Sequence, residues 1–557
     1  MTTRAQYTDP NGAILESFLD SAVATATNGG ESVFDSAAAK SASAEILKKA
    51  DLPADVQRVV ALMPDDQQHR VMDAVLIGAS VYQREHGVLP TGDLIQAAMQ
   101  QAGSAAHRLD AHGRVLDKGN TFDGVGSTSH HDQLSAQPNK IVVAITSAIA
   151  EAIPFGTYLP TDIGSNEARL GIVSHQAGST FGAYAQNALL DGINTGNTYI
   201  SSERRVTLTL DGTRENATGK ITGVVGGSED TPLLRGRCIV HINGFPCAYE
   251  SSNTQSSAAN SPISGGLRIG STDYTVSGTV TVATGAVALA FTPALPVGTV
   301  VEIEGFIDFE KAPNLAPSII TQVQTFNLYA VPWRVLADQT IDSKTQYANE
   351  LSLDLQSENL IAIRNQAGME RHYASLNKLK ALAVANAETY DFDWSGQKQD
   401  KTRARIWQDF IAVLGIADQK MAENTMDHGI THIYVGKKLA AQFLTLPREI
   451  FVPSGIVARP SIYRVGTLFG RFEVYYTPKG LVEDSSGAQM LCIGRSNQVA
   501  RCPIVLGDAV APTFLPLAMD GSLKYRNAYY ARNFTSVNPH QPSAMGAAVI
   551  NVTNLGM

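Results

Sequence analysis

The stretch YRVGTLFGRFEVYYTP, residues 463–478, lies at the centre of the part of the chain that decides the fold. A run with helical periodicity, Arg403 to Met421, and a short apolar strand, His432 to Val435, precede it. After it come LCIG (491–494), FLPL (514–517) and a tyrosine-rich strand from Leu523 to Phe534. From about residue 430, helical and strand segments alternate, and strands dominate to the end. We therefore predict an α+β fold.

The bulk composition is that of a globular protein of several domains. The chain has 557 residues, of which 44% are hydrophobic and 17% charged, enough for two to four domains with real cores. Its formal net charge is −9. Binding of DNA by phosphate neutralisation needs clustered Lys and Arg, so this charge balance argues against a protein that wraps DNA.

The four cysteines are too few for a disulfide scaffold, and we expect all of them to be reduced. Asn243-Gly244 is a strong two-residue hairpin signal, which would place Cys247 opposite Val240 and Cys238 opposite Tyr249. The two thiols would then be diagonal neighbours, a poor geometry for a bridge. The first residues lack the apolar core of a signal peptide, and the most apolar stretch, residues 141–150, is too short to span a bilayer. Synthesis in a cytosol is expected.

Residues 1–136 are rich in Ala, Ser, Asp and Gln and contain a helical core. Apolar spacing predicts one helix at about 54–63 and a second at about 66–86, packed together as a small unit. Ala98 to Asn139 is polar with scattered Gly and His, which we interpret as an extended arm or linker. Residues 141–153 form a short helix or a buried strand, closed by Pro154.

Residues 211–308 change character, because short strands with Gly-rich turns replace the helical patterns. A strand at 206–210 stops at Asp211-Gly212, and the predicted strands that follow are 219–225, 237–242, 274–282, 286–291 and 299–306. Residues 251–264 are expected to be a polar loop. This pattern indicates an inserted all-β domain, a small sandwich or barrel.

Helical periodicity returns after Trp333. A stripe that includes Tyr373, Leu376, Leu379 and Ala383 predicts a long helix at about 345–387, with a weak point at residues 366–368 because Gly costs a helix about 1 kcal/mol relative to Ala. A second amphipathic face is formed by Ile406, Phe410, Val413, Leu414, Ala417 and Met421.

A polar arm, a strand-rich loop, a long helix, a mixed α/β region and a closing β-ribbon follow one another in this order. The order resembles that of tailed-bacteriophage major capsid proteins, whose subunit fold is named after phage HK97. Large phages of this kind insert small immunoglobulin-like domains, which suits a β-sandwich at 211–308. The resemblance implies the following division: an N-terminal helical region and arm (1–136), the start of a peripheral domain and extended loop (137–210), the insertion (211–308), the return of the extended loop (309–344), the spine helix (345–399), an axial domain (400–500) and returning peripheral strands (501–557).

The function that the resemblance implies is that of a structural shell protein. Such a subunit assembles into hexamers and pentamers of an icosahedral head, encloses double-stranded DNA without sequence-specific binding, and works beside decoration, scaffold and portal proteins. It would be a virion component assembled in the bacterial cytoplasm, with no membrane partner. Two alternatives remain at this stage: an encapsulin-like compartment with the same fold, and a β-rich enzyme or carbohydrate-binding protein centred on 211–308.

The sequence offers no catalytic constellation, so we expect no enzyme and no catalytic, cofactor-binding or metal residues. It lacks phosphate-binding glycine loops, the nucleophile elbow and the HExxH zinc motif. A histidine-rich stretch (His107, His112, His130, His131, Asp132) has no rigid ligand spacing and is interpreted as solvated loop. Glu302 and Glu304 share a solvated strand face. Two aromatic groups, Phe326/Tyr329/Trp333 and Tyr525/Tyr529/Tyr530, are assigned to core or subunit-interface packing, since no basic groove accompanies them.

We predict that the N-terminal region is retained in the mature protein. Head proteases of large phages prefer an apolar residue, any residue and then Glu, a pattern that Ile14-Leu15-Glu16 and Ile149-Ala150-Glu151 both match. Three-residue matches arise often by chance, and the second lies in a segment that looks structural. Intact-mass measurement on mature particles should give 59.4 kDa. A subunit lighter by the mass of residues 1–16 or more would contradict retention.

Overall fold

The structure is a computed structural model that describes residues 10–27, 43, 46–47, 52–106, 141–161, 166–251, 257–351, 355–516 and 524–556. The chain divides into two compact units. The main unit comprises Met1–Ile172 and Thr325–Met557, and the inserted unit comprises Val173–Gln324.

The main unit contains helices that the sequence predicted and others that it did not. They are α1 (Pro10–Thr27), α2 (Ala54–Val60), α3 (His69–His86), α4 (Gly92–Ala106), α5 (141–150), α6 (Ile341–Leu351), α7 (Leu355–Leu382), α8 (Trp394–Gln397), α9 (Arg403–Thr425), α10 (Lys437–Leu444) and α11 (Gln541–Ala544). Helix α3 ends at Gly87, whose φ of +76° is the left-handed conformation typical of a glycine that closes a helix.

The strands belong to four sheets. They are β1 (Thr157–Tyr158), β2 (Glu167–Ala177), β3 (Glu203–Thr207), β4 (Thr209–Leu210), β5 (Asn216–Lys220), β6 (Ile239–Ile242), β7 (Phe245–Glu250), β8 (Asn260–Ile269), β9 (Thr272–Thr281), β10 (Ala286–Thr292), β11 (Val301–Phe306), β12 (Ile319–Tyr329), β13 (Val331–Thr340), β14 (Glu388–Asp391), β15 (Ile430–Val435), β16 (Phe451–Pro453), β17 (Tyr463–Leu468), β18 (Phe472–Tyr476), β19 (Ala488–Gly494), β20 (Ile504–Pro516), β21 (Lys524–Val537) and β22 (Ala547–Thr553). Strands β2 and β12 form a two-stranded sheet.

The N-terminal helices differ from the prediction in two respects. Residues 98–106, expected to begin an extended arm, are the second half of α4, where Ala98, Met99 and Ala102 are buried. The helices also do not form a separate small unit, because they share one hydrophobic core with α5, α7, β15 and β20. Alanine has the highest helix propensity, and docking against the main unit buries these side chains. The rest of the predicted arm, 107–136, lies outside the described residues.

Helix α7 corresponds to the predicted long helix. Leu376, Leu379 and Ala383 are buried on one face, as the apolar stripe predicted. The helix runs unbroken through Gly368, so the expected weak point does not interrupt it. A short 3₁₀ segment, Ala383–Asn386, ends it. The separation of α6 from α7 falls at 352–354, outside the described residues.

A second core lies between α9 and a seven-stranded sheet of order β14-β22-β19-β15-β18-β17-β16. The side chain of Thr402 caps α9 by accepting a hydrogen bond from the amide of Arg405 at 3.3 Å, and Ile406, Trp407 and Phe410 point into the core. The sheet takes β14 and β22 from outside the range 400–500 assigned to an axial domain. The C-terminal strand is apolar on both faces, which suits a position between two other strands.

The long ribbon predicted near the C-terminus forms a four-stranded sheet of order β1-β20-β21-β13. Strand β13 pairs with β21 in an antiparallel register that sets Trp333 opposite Ala531 and Val335 opposite Tyr529. Among the described residues, β13 is an outer strand of this sheet.

The inserted unit contains one antiparallel sheet of order β3-β11-β6-β7-β8-β9-β10-β5-β4. Only Leu208 separates β3 from β4, so the two ends of the sheet are consecutive in the chain and the sheet closes on itself. Of the two architectures that the strand pattern allowed, this is the barrel rather than the two-sheet, immunoglobulin-like sandwich. The predicted loop 251–264 is shorter, because residues 260–264 belong to β8.

The Asn243-Gly244 turn forms as predicted, with Ile242 opposite Phe245. The register beyond it does not, because a β-bulge between Val240 and His241 places Ala248, not Cys247, opposite Val240. Cys238, Cys247, Cys492 and Cys502 are all free and buried, and burial raises the pKa of each thiol.

No helix among the described residues is long and apolar enough to cross a membrane.

Removal of the barrel should leave the main unit folded. The amide of Ile307 donates to the carbonyl of Ser202 at 2.9 Å, so a short Gly-Ser bridge can replace residues 203–306. We expect the shortened protein to remain soluble and to keep hydrogen-exchange protection in α7. Deletion of residues 211–308 is the matched comparison. It leaves β3 and β4 without their partner strands, so we expect this variant to aggregate. Loss of protection in α7 in the 203–306 deletion would show that the barrel belongs to the main core.

Leu379→Asp should destabilise the main unit. The side chain is fully buried in the core shared by α7 and the N-terminal helices, so the substitution buries a carboxylate without a partner. We expect a loss of about 3–5 kcal/mol in the free energy of unfolding, measured by urea denaturation. Asn377→Asp, on the exposed side of the same helix, is the control and should change it by less than about 0.5 kcal/mol. Equal stability of the two variants would mean that this face is accessible to solvent.

Candidate functional site

The chemistry-bearing residues singled out in the sequence lie in several places, and some of them fall outside the described residues. The histidine-rich stretch (His107, His112, His130, His131, Asp132) lies outside the described residues. Within them, no group of three or more His, Cys, Asp or Glu side chains could hold a metal ion.

Glu302 and Glu304 are half-buried on β11 and are paired with different partners. Arg205 Nη2 donates to Glu302 Oε2 at 2.6 Å, and His241 Nε2 lies 3.0 Å from Glu304 Oε2. These cross-strand pairs stabilise neighbouring strands of the barrel. The predicted strand face is therefore only partly solvated, and it carries the Arg205–Glu302 ion pair and the His241–Glu304 contact.

The aromatic residues of the ribbon have different environments. Tyr529 is buried, Tyr329 is exposed, and Trp333 is half-buried, while the Tyr525 side chain lies outside the described residues. The Arg334 guanidinium lies 5.8 Å from the centroid of the Tyr530 ring. Some of these side chains border a groove, which the sequence pattern did not reveal.

The groove lies between β13 and α7 in the main unit and has a volume of about 710 Å³. Its walls come from Trp333 and Val335 on β13, from Tyr529 on β21, and from the face of α7 that carries Ala362, Ile363 and Ala367. The two alanines are short, so this part of the helix does not fill the space above the strand. Arg334, Gln366 and Glu370 add polar groups to the lining. An apolar cleft with a few polar groups is a typical binding site.

Exposed apolar side chains also lie close in sequence to residues that line the groove. Tyr329 is 62% exposed, Val331 53%, Leu336 62% and Ile361 54%. Val335 and Leu336 are adjacent on β13 and both exposed, so this outer strand presents apolar side chains on both faces. An apolar outer strand favours pairing or packing with another chain.

A buried ion pair holds the helix that forms one wall of the groove. Arg371 Nη1 on α7 lies 3.0 Å from Asp508 Oδ1 on β20, and the two side chains are 15% and 5% exposed. Asp508 Oδ2 also accepts a hydrogen bond at 2.7 Å from Gln101 on α4. The same contacts therefore fix α7 relative to the ribbon and to the N-terminal helices. No local pattern in the sequence indicates this pairing, because its members are 137 residues or more apart.

Comparisons with known proteins gave matches only among solved structures. No family model and no curated protein matches the chain. The icosahedrally averaged capsid of jumbo bacteriophage PhiKZ matches with a TM-score of 0.34 and 10% identity, covering 72% of this chain and 92% of that one. A structure from Microbacterium phage Oxtober96 has a TM-score of 0.29 and 13% identity, covering 43% and 78%. The SrpI encapsulin from Synechococcus elongatus PCC 7942 has a TM-score of 0.28 and 12% identity, covering 42% and 79%.

Proposed function

We propose that the protein is the major capsid protein of a tailed bacteriophage, which assembles into the hexamers and pentamers of an icosahedral head around double-stranded DNA. The observation that carries the proposal is an apolar groove beside an exposed apolar outer strand. We call the groove, together with Tyr329, Val331, Leu336 and Ile361, the assembly surface. Exposed apolar surface of this kind costs solubility in a monomer and is explained by a partner. The order of elements, with a strand pair, a long helix, a mixed α/β region and a closing ribbon, supports the same function.

The proposed occupant of the groove is a second copy of this chain. The strand β12 of the inserted unit carries Ile319, Ile320 and Val323, which are 53%, 48% and 59% exposed. These side chains lie on a surface of β12 that is different from the groove. A contact between the β12 surface of one subunit and the groove of the next therefore joins two different surfaces. Contacts of this heterologous kind generate rings when the rotation closes. Hexamers and pentamers would arise from the same contact at slightly different angles.

The charge of the protein suits a container. A net charge of −9 gives a wall that does not bind the phosphate backbone tightly, so DNA can pack inside and leave again. Scaffold, portal and decoration proteins are the further partners of such a shell, and the barrel is the part of the chain that we assign to its outer surface.

Charged substitutions in the groove should prevent assembly without unfolding the subunit. Ile363 is half-buried and Val335 is exposed. Ile363→Asp and Val335→Asp therefore place a charge where β12 of the neighbouring subunit would bury it. Val323→Asp makes the equivalent change on β12. We expect each to reduce the assembled fraction at least about tenfold, since burial of one unpaired charge costs 1.4 kcal/mol or more per contact. Size-exclusion chromatography and negative-stain microscopy measure that fraction.

Val384→Asp is the matched control, because Val384 is 71% exposed in the 3₁₀ segment that follows α7 and lies outside the groove. It should assemble normally, and circular dichroism should be the same for all four variants. Normal particles from both groove variants would refute the proposed contact. The content of nuclease-treated particles separates the two shell functions, since double-stranded DNA indicates a phage head and protein cargo indicates an encapsulin-like compartment.

A further inference from the structure

Three histidines lie together where the N-terminal helices meet the rest of the main unit. His86 is the last residue of α3, His372 lies on α7, and His432 lies on β15. We call the group formed by these histidines with Phe155, Tyr434 and Tyr475 the histidine junction. It is independent of the assembly surface and of the function proposed above.

Tyrosine hydroxyls and aromatic rings fill the space between the histidines. His86 Nδ1 lies 3.1 Å from Tyr475 Oη, and His372 Nε2 lies 2.9 Å from Tyr434 Oη. The two tyrosine rings stack with centroids 5.2 Å apart. Phe155 contacts His372 and His432 with ring centroids at 5.7 and 6.4 Å. The neutral imidazoles are therefore well packed and hydrogen-bonded.

The charged groups that face the junction are arginines whose carboxylate partners are already engaged. Arg459 pairs with Glu85 and Arg464 with Glu473, both near His86. Arg495, which faces His432, pairs with Asp93 on α4 at 3.2 Å. Tyr82 packs on His86 with ring centroids 4.4 Å apart. Within the described part of the chain, no ion pair joins these three histidines to a carboxylate that could stabilise an imidazolium.

Burial therefore works against protonation, and so do the neighbouring positive charges. Burial, then His372, Arg464 and Arg459, lower the pKa of His86 to about 3. Burial, then Arg495 and the other two histidines, lower the pKa of His432 to about 3. Burial lowers the pKa of His372 to about 4.

We propose that the histidine junction is an acid-sensitive latch, which holds the N-terminal helices on the main unit while its imidazoles are neutral and releases them when they take up protons. Release would carry His86 away with α3 and admit water to His372 and His432, which pack against Tyr434 and Tyr475. The released state then binds three protons that the docked state excludes.

The direction of the effect follows from the lowered pKa values. A histidine exposed by release has a pKa near 6.5, so docking is at full strength above about pH 6.5 and weakens as the pH falls toward 3–4. At pH 5 each histidine shifts the docking equilibrium by about thirtyfold, and three together by a factor on the order of 10⁴.

Hydrogen exchange of the full-length protein at pH 7.5 and pH 5.0 tests the latch. After correction for intrinsic exchange rates, amides of α3 and α4 should lose protection at pH 5, while those of β6 and β7 in the barrel, as an internal reference, keep theirs. The double variant His86→Gln/His372→Gln retains amides that can hydrogen-bond to the tyrosines but leaves only His432 to titrate. In this double variant, lowering the pH from 7.5 to 5.0 should reduce the protection of α3 and α4 by only about thirtyfold.

Two controls separate titration from structural damage. Tyr475→Phe removes the hydroxyl next to His86 without removing a titrating group, so it should reduce protection equally at both pH values. His69→Gln, at the half-buried start of α3, should behave as the unmodified protein does. Unchanged protection of α3 at pH 5, full pH dependence in the double variant, or loss of protection in the barrel together with α3 would each overturn the proposal.

Discussion

The ion pair between Arg371 and Asp508 is the interaction on which the arrangement of the main unit depends. It joins α7 to β20, while Arg371 Nη2 also donates to the carbonyls of Gly507 and Phe534 at 3.4 and 3.3 Å. Asp508 extends the network to α4 through Gln101. A buried pair of this kind adds little net stability, but loss of one partner leaves an uncompensated charge and costs about 3–5 kcal/mol. The pair thus specifies one position of the helix over the ribbon. Gly507 permits its backbone on β20 to lie close to the Phe534 ring on β21, because a Cβ at residue 507 would lie 2.2 Å from that ring.

The position of α7 has opposite consequences at its two ends. Its C-terminal half is sealed by the core that includes the N-terminal helices, with Leu379 fully buried. Its N-terminal half lies over β13 without filling the space, which leaves the groove and the exposed Ile361. One helix therefore contributes both to the core of the main unit and to one wall of the groove.

The nine-stranded sheet of the inserted unit and the four-stranded sheet of the main unit differ in whether their outer strands are paired. The inserted unit closes its sheet through β3 and β4, which removes free edges and protects an all-β domain from unwanted pairing. In the main unit, β13 is an outer strand with apolar side chains on both faces. The apolar side chains of β13 are the part of this exposed edge that the proposed contact between subunits would bury.

The sequence by itself determined the elements whose signal is local. The apolar stripe through Leu376 and Leu379 predicted the buried face of α7, because the helical period of 3.6 residues is visible in nearby residues. Asn243-Gly244 predicted the turn between β6 and β7, because these two residue types readily adopt a positive φ. Only the tertiary structure decided which surfaces meet. The bulge at Val240/His241, the docking of α4 in place of an arm, the entry of β22 into the seven-stranded sheet and the groove between β13 and α7 all depend on contacts between distant segments. Such contacts are set by packing and by the pairing of buried charges, neither of which leaves a periodic pattern in the sequence.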